Sequence, residues 1–355
     1  MTMAKHSYSL DAFRVLAIFC VYIAHTGFFN YGIAGGRKLL DGNLLNIGSL
    51  AAHFFIVLSA FLAAFFYDRA MQNGYGAYVR KRARRLLPVN IVTLPFYIVV
   101  ATYTGFYTVS LGRTLFDVLS ASLLLQELFN FSCKVFNTPA WTISTLFILY
   151  LLTPLLMWPL KKVQTPWVLL LFVALLTWAD VEYRDWLAVV KPDNWWINYA
   201  SPVNRILSYM LGLTLGRAAR VFTCPPTVRK YVTWMELSVF GLFCYGCAVI
   251  QFDYASCYAI IMFTTPLVIA LCFMESGSIS RLVAASGISK ASPYVYAFYM
   301  VHFLFILLLY AVLKNMLGLW GSLSLTLTAA LALAAFAASC AASVLLHHFV
   351  EKRFA

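Results

Sequence analysis

Apolar positions in this chain come in long unbroken runs, not in alternation. Runs near 20 residues recur from end to end, over 9–28, 46–67, 87–107, 141–160, 166–182, 203–219, 231–250, 257–275, 292–313 and 321–348. At about 1.5 Å rise per residue, a helix of that length reaches across a hydrocarbon core of about 30 Å. A closed β-barrel also satisfies every backbone group in lipid, but it needs short strands that alternate apolar and polar positions. Stretches such as Leu123–Leu125, Leu169–Leu176 and Ala329–Ala338 are apolar on every side. The pattern therefore predicts an all-α, polytopic transmembrane helix bundle of about ten spans, forming a single domain over 1–355. Segment 114–130 is apolar but short and carries Asp117 and Glu127, and is expected to be a re-entrant or interfacial helix on the outer side.

Composition supports this reading. The chain is 62% hydrophobic and 11% charged, against about 25% charged in soluble domains. Too few charges remain to coat a water-soluble surface. The net charge of +13 then marks cytoplasmic loops and not a nucleic-acid site, since no soluble basic domain exists to carry one. Arg80, Lys81, Arg82, Arg84 and Arg85 lie between the second and third runs and assign that loop, with the N-terminus, to the cytoplasm. If 114–130 does not cross, Lys161 and Lys162, Arg217 and Arg220, Arg229 and Lys230, Arg281 and Lys290, and Lys352 and Arg353 also fall inside. Asp41, Asp180, Glu182, Asp185, Asp193 and Asp253 then fall outside, as loop residues. Both termini are expected in the cytoplasm, with the chain in the inner membrane of a bacterial cell. Asp11 and Arg14 interrupt the first run, so it reads as a retained helix and not a cleaved signal. Cys244 and Cys247 form a CxxC pair without further ligands nearby, which reads as small packing residues; no metal is expected.

Ionisable side chains inside a span are costly and mark candidate function. The first run holds Asp11, Arg14 and His25. Arg14 and His25 are three helical turns plus about 20° apart, so they share one face about 16 Å apart along the axis. Asp11 lies one turn before Arg14 and can pair with it. His302 lies within the ninth run, and His53 at the outer end of the second. The run Arg80 to Arg85 has two readings, a topology determinant on anionic lipid or a phosphate-binding patch. Trp186, Trp195 and Trp196 in a later outer loop read either as an interfacial belt or as a sugar-stacking platform.

Four places carry a resemblance to a known family. Leu10-Asp11-Ala12-Phe13-Arg14 is followed by His25. Phe54-Phe55-Ile56-Val57-Leu58-Ser59-Ala60-Phe61 resembles a Phe-Phe-x-x-Ser-Gly-Phe segment. Tyr78 to Pro88 is a basic loop leading to a proline, and Asn137-Thr138-Pro139-Ala140-Trp141-Thr142-Ile143-Ser144 resembles an Asn…Trp-[Ser/Thr]-Leu-Ser segment. A weaker fifth place runs from Ile288 to Tyr294 and on to Tyr299 and His302. In this order and spacing they resemble the membrane acyltransferases of acyltransferase family 3, over nearly the whole length. Two departures are visible. Ala60 stands where the family usually has glycine, which predicts looser helix packing there. No acidic residue follows Ser144 directly, whereas many members carry a glutamate shortly after.

The resemblance implies transfer of an acyl group, most often acetyl, from cytoplasmic acetyl-CoA or another acyl-CoA to a hydroxyl of a cell-surface or lipid-linked glycan. On that reading His25 is the general base or a transient acyl carrier, with Arg14 and Asp11 as its catalytic companions. Arg80, Arg82, Arg84 and Arg85 would hold the CoA phosphates. Asn137, Trp141, His302 and Ser59 would line the acceptor side. The alternative from the polar intramembrane residues is an exporter of a lipid-linked or acylated saccharide. Against it, no internal repeat of the kind common in transporters is visible.

Overall fold

A computed structural model describes residues 6–40, 42–129, 136–222, 225–249 and 254–354. Asp41 and Asp253 lie outside the described residues, as does the side chain of Cys247. Ten long helices follow the ten apolar runs: α1 (Tyr8–Thr26), α2 (Gly42–Phe65), α3 (Gly74–Tyr103), then after a short α4 (Leu111–Ser122) come α5 (Trp141–Lys162), α6 (Pro166–Val190), α7 (Pro202–Val221), α8 (Val232–Val249) and α9 (Tyr254–Met274), and after a short α10 (Ser278–Ala285) come α11 (Val295–Ala311) and α12 (Leu325–Leu346). Among the described residues there is no strand, only an isolated bridge between Ile33 and Leu323. Among the described residues, seven helical segments are long and apolar enough to cross a membrane, and eight if the bent pair α9–α10 is one span. The protein is an integral membrane protein. α7 falls outside that count because it carries Asn204, Arg205, Arg217 and Arg220, and α8 because its apolar stretch, Val232–Gly246, is short.

α7 is buried instead in the middle of the bundle, packed on α2, α5 and α6. The looser packing expected at Ala60 is not found. A Cβ on Gly212 would lie 2.2 Å from the Val57 carbonyl oxygen and 2.6 Å from the Ala60 Cβ; one on Gly216 would lie 2.3 Å from the Phe61 carbonyl oxygen. The missing glycine on α2 is replaced by two on α7, spaced i,i+4, so the backbones still meet closely.

Among the described residues, segment 114–129 forms no helix long enough to span. α4 has 12 residues, about 18 Å of helix, and the chain breaks after it at Leu124, whose φ is 56°. α4 is also inverted. Asp117, Ser120 and Ala121 are buried, while Leu111, Leu115, Phe116 and Leu119 are exposed. Asp117 is held by Arg113 Nε at 2.9 Å and by the Tyr107 hydroxyl at 2.8 Å. An apolar outer face over a paired polar inner face suits a helix lying in a membrane interface.

Carboxylates fasten the broken helix ends. Glu275 accepts from Ser9 N at 2.7 Å and from Ser7 Oγ at 3.0 Å, which caps α1. Glu236 on α8 accepts from Ile279 N at 2.8 Å, which caps α10 where the chain bends by 69° after α9. Each satisfies backbone donors that a helix start leaves open and that lipid cannot satisfy.

Candidate functional site

His25 sits in the last turn of α1, half-buried. Its Nδ1 lies 2.8 Å from the Val21 carbonyl oxygen and 3.2 Å from Nε2 of His302 on α11. His302 is fully buried, and its own Nδ1 lies 2.8 Å from the Tyr299 carbonyl oxygen. A carbonyl only accepts, so His302 Nδ1 carries a hydrogen, and in the neutral ring Nε2 is left as an acceptor. That acceptor and the Val21 carbonyl both face His25 Nδ1, so His25 Nδ1 carries a hydrogen too. The lone pair of neutral His25 therefore sits on Nε2, which makes no hydrogen bond among the described residues. Phe298 stacks on His302 with centroids 5.9 Å apart, and Phe303 packs edgewise on His25 at 5.4 Å, so both rings are held in place. The sequence reading set His302 among acceptor-side residues; its ring contacts His25 directly.

Asp11 and Arg14 pair at 3.2 Å, one turn apart. Asp11 also accepts from Ser292 Oγ at 2.9 Å and pairs with His6 at 3.0 Å, which fastens α1 to the turn preceding α11. The basic run is divided between two faces of one helix. Helical periodicity sends its arginines to two faces of α3. The Arg82 guanidinium lies over the Tyr150 ring at 4.5 Å and the Tyr78 ring at 5.3 Å, facing the bundle. Arg85 lies within electrostatic range of Arg14, Tyr150 and Glu351. Its side chain is exposed, unlike the half-buried Arg82. Arg80 and Arg84 face the other way, into a groove of about 400 Å³ lined by Leu87, Pro88, Ile91, Val92, Val350 and Phe354.

Asn137 and Trp141 flank the 3-10 turn Thr138–Ala140 that leads into α5. The turn is tied to the histidine helix, because the Tyr299 hydroxyl donates to the Pro139 carbonyl and Asn137 Nδ2 lies 3.5 Å from the Met300 carbonyl oxygen. Trp141 packs on Tyr199, with centroids 4.8 Å apart. Ser144 accepts from Glu127 N at 3.2 Å and donates to the Leu124 carbonyl at 2.9 Å, so the buried Glu127 is brought beside the motif by another segment. Ser59 is half-buried on α2 and makes no hydrogen bond to any of these residues.

Several polar residues that the sequence reading passed over or set in loops lie in the bundle. Asp180, expected in an outer loop, is fully buried in α6 and pairs with Arg184 at 3.0 Å. Arg184 also donates to Asn204 Oδ1 at 2.7 Å and Ser208 Oγ at 2.8 Å, and Ser208 donates back to Asp180 at 2.6 Å. Arg205 and His53 stand nearby, His53 in mid-helix and not at the end of its span. An arginine at 205 inside an apolar run was a signal available from sequence by the rule that singled out Arg14. Among the described residues no group of three or more His, Cys, Asp or Glu side chains is arranged to hold a metal ion.

Comparison with known proteins follows this geometry. The acyltransferase family 3 model, an acyltransferase domain, matches residues 7–348. A curated relative, the acyltransferase MdmB of Streptomyces mycarofaciens, is 25% identical over 359 residues, covering 96% of this chain and 88% of its own. No solved structure matches the chain.

Proposed function

From a chain that belongs to acyltransferase family 3, we propose an enzyme that moves an acyl group, acetyl in the simplest case, from a cytoplasmic acyl-CoA to a hydroxyl of a cell-surface or lipid-linked glycan. The observation that carries the proposal is the His25–His302 pair, which leaves a lone pair on His25 Nε2. Acyl transfer to a hydroxyl needs a base for the hydroxyl proton, and imidazole serves near neutral pH. In the proposed step the acceptor oxygen attacks the thioester carbonyl while its proton passes to His25 Nε2. The C–S bond then breaks, and the proton returns to the departing CoA thiolate. His302 holds the tautomer, as an orienting partner does for a catalytic histidine.

Arg82, Arg85 and Arg14 line the proposed donor path. Acyl-CoA is a polyanion, and guanidinium groups grip phosphate oxygens in pairs. With the nucleotide end at Arg82 and Arg85, the extended pantetheine arm would run along the face of α1 that joins Arg14 to His25. Arg80 and Arg84 fit the other reading of the basic run, contact with anionic lipid headgroups and orientation of the chain. The positive charges inside then put both termini in the cytoplasm.

The experiment is single-turnover transfer from labelled acetyl-CoA by the purified chain. His25→Ala is expected to bind the donor as well as the parent does and to lose transfer. An exporter would move saccharide across vesicles without consuming acetyl-CoA.

A further inference from the structure

Arg205 is 1% exposed, in the first turn of α7, and forms no salt bridge among the described residues. Its Nε donates to the Tyr199 carbonyl at 2.6 Å, but its buried Nη2 has no hydrogen-bond partner. The carboxylate nearest in function, Asp180, is taken up by Arg184 and Ser208. The network Asp180–Arg184 is neutral as a pair, so the charge on Arg205 is left over. His53 on α2 lies within electrostatic range of Arg205, is fully buried, and has both ring nitrogens unpartnered. Asn137 Oδ1 is buried and unpartnered as well. Buried polar groups in folded proteins are almost always bonded, and an unpaired buried charge is more costly still. Arg205 and His53, two such groups within electrostatic range of each other, point to a missing ligand.

The walls fit the same idea. The Arg205 guanidinium lies 4.7 Å from the Tyr199 ring centroid and 5.3 Å from that of Trp141. Trp195 packs at a tilt against Tyr199 with centroids 5.1 Å apart and is 47% exposed. Tyr199 belongs to the short π-helical turn Trp196–Ala200, a form often found at functional sites. This region adjoins the histidine pair through Tyr299, whose hydroxyl reaches Pro139, two residues before Trp141.

We propose that Arg205, His53, Trp141 and Tyr199 form a binding site for an oxyanion on the acyl acceptor. The acceptor is then a hydroxyl-bearing sugar that also carries a carboxylate or a phosphate. The oxyanion takes two donors from Arg205, with a ring N–H from His53, and the sugar ring lies against Trp141. Entry displaces Tyr199 from the guanidinium face. The assignment rests on the acyltransferase reading for the identity of the acceptor, but the site is tested by binding alone.

The test is titration of the full-length protein in lipid nanodiscs, read by tryptophan fluorescence, with methyl glucuronide, glucose 1-phosphate and methyl glucoside as probes. In the parent, one or both anionic probes are expected to bind at least tenfold more tightly than the neutral glycoside. A uronate-only preference identifies a carboxylate acceptor, and a phosphate-only preference a phosphorylated one. Arg205→Gln should erase the preference, and Arg205→Lys should retain part of it, with donor binding and melting temperature reporting that each variant is folded. His25→Ala should keep the full preference even though it loses transfer, which separates failure of this site from failure of the base. Equal binding of all three probes to the parent would overturn the proposal, as would a preference that survives in folded Arg205→Gln or, should that variant not fold, in Arg205→Lys undiminished.

Discussion

His302 shows what one residue contributes that its own chemistry does not reveal. It is closed off from water, and its Nε2 lies 3.2 Å from His25 Nδ1. Its part in the proposed reaction is to fix which nitrogen of His25 carries the hydrogen. His302→Ala is therefore expected to leave acyl-CoA binding intact and to lower turnover by about 10²-fold, the lower end of what a positioned base contributes. Steady-state kinetics separate this from a role in acceptor binding, because the loss should fall on kcat and not on KM. Sequence reasoning placed His25 on the face of Arg14 from the eleven-residue spacing alone. It placed His302 only near the acceptor, because a contact between residues 277 positions apart has no local signature. Arg205 was missed for a different reason. It lies in the run 203–219, which reads as a span for its many apolar residues even though Asn204 and Arg217 interrupt it too, and that reading hides the charge within it.

At the scale of single helices, α3 and α7 carry the clearest consequences. The arginines at 80 and 84 share one face of α3 and those at 82 and 85 another, as a 3.6-residue repeat requires. Only the second face meets Arg14 and Tyr150. Arg82→Gln and Arg85→Gln should each weaken acyl-CoA binding by about 1.5–3 kcal/mol, the worth of a charge-assisted hydrogen bond. Arg80→Gln and Arg84→Gln should change it little. Equilibrium binding of labelled CoA to the four variants checks this, and equal losses at all four would return the run to a single phosphate patch. On α7, Gly212→Leu places atoms where the Val57 backbone stands. Overpacking of this kind costs about 1–3 kcal/mol or more, and a lowered melting temperature in detergent should report it. Ala60→Gly should be tolerated, because the close approach is already made by the glycines opposite. The family pattern led to an expectation of looser packing at Ala60, and the reason it failed is physical. Helix proximity depends on the sum of side chains across an interface, and a motif read on one helix shows only half of that sum.

At the scale of the whole molecule, run lengths alone made the ten long helices and the short 114–130 segment legible, since lipid leaves the backbone few alternatives. What sequence did not show is which helices are walls and which are core. α7 became the buried centre because its polar residues find partners on α6 and in the turn before it, and the packing that decides this is non-local. If the ten long helices cross and α4 does not, the basic residues of the later loops fall on one side, and a reporter fused after Ala355 should be active only where its activity requires the cytoplasm. An outer-side signal would mean that the polypeptide crosses at 114–130 after all. The central claim is that His25 acts on a donor held by the arginines of the cytoplasmic half. It is tested most directly by single-turnover acyl transfer from labelled acetyl-CoA, measured together with CoA binding, on the purified parent and on His25→Ala. The account predicts equal CoA binding and a loss of transfer of about 10²-fold or more in the variant; near-parental turnover in His25→Ala would contradict it.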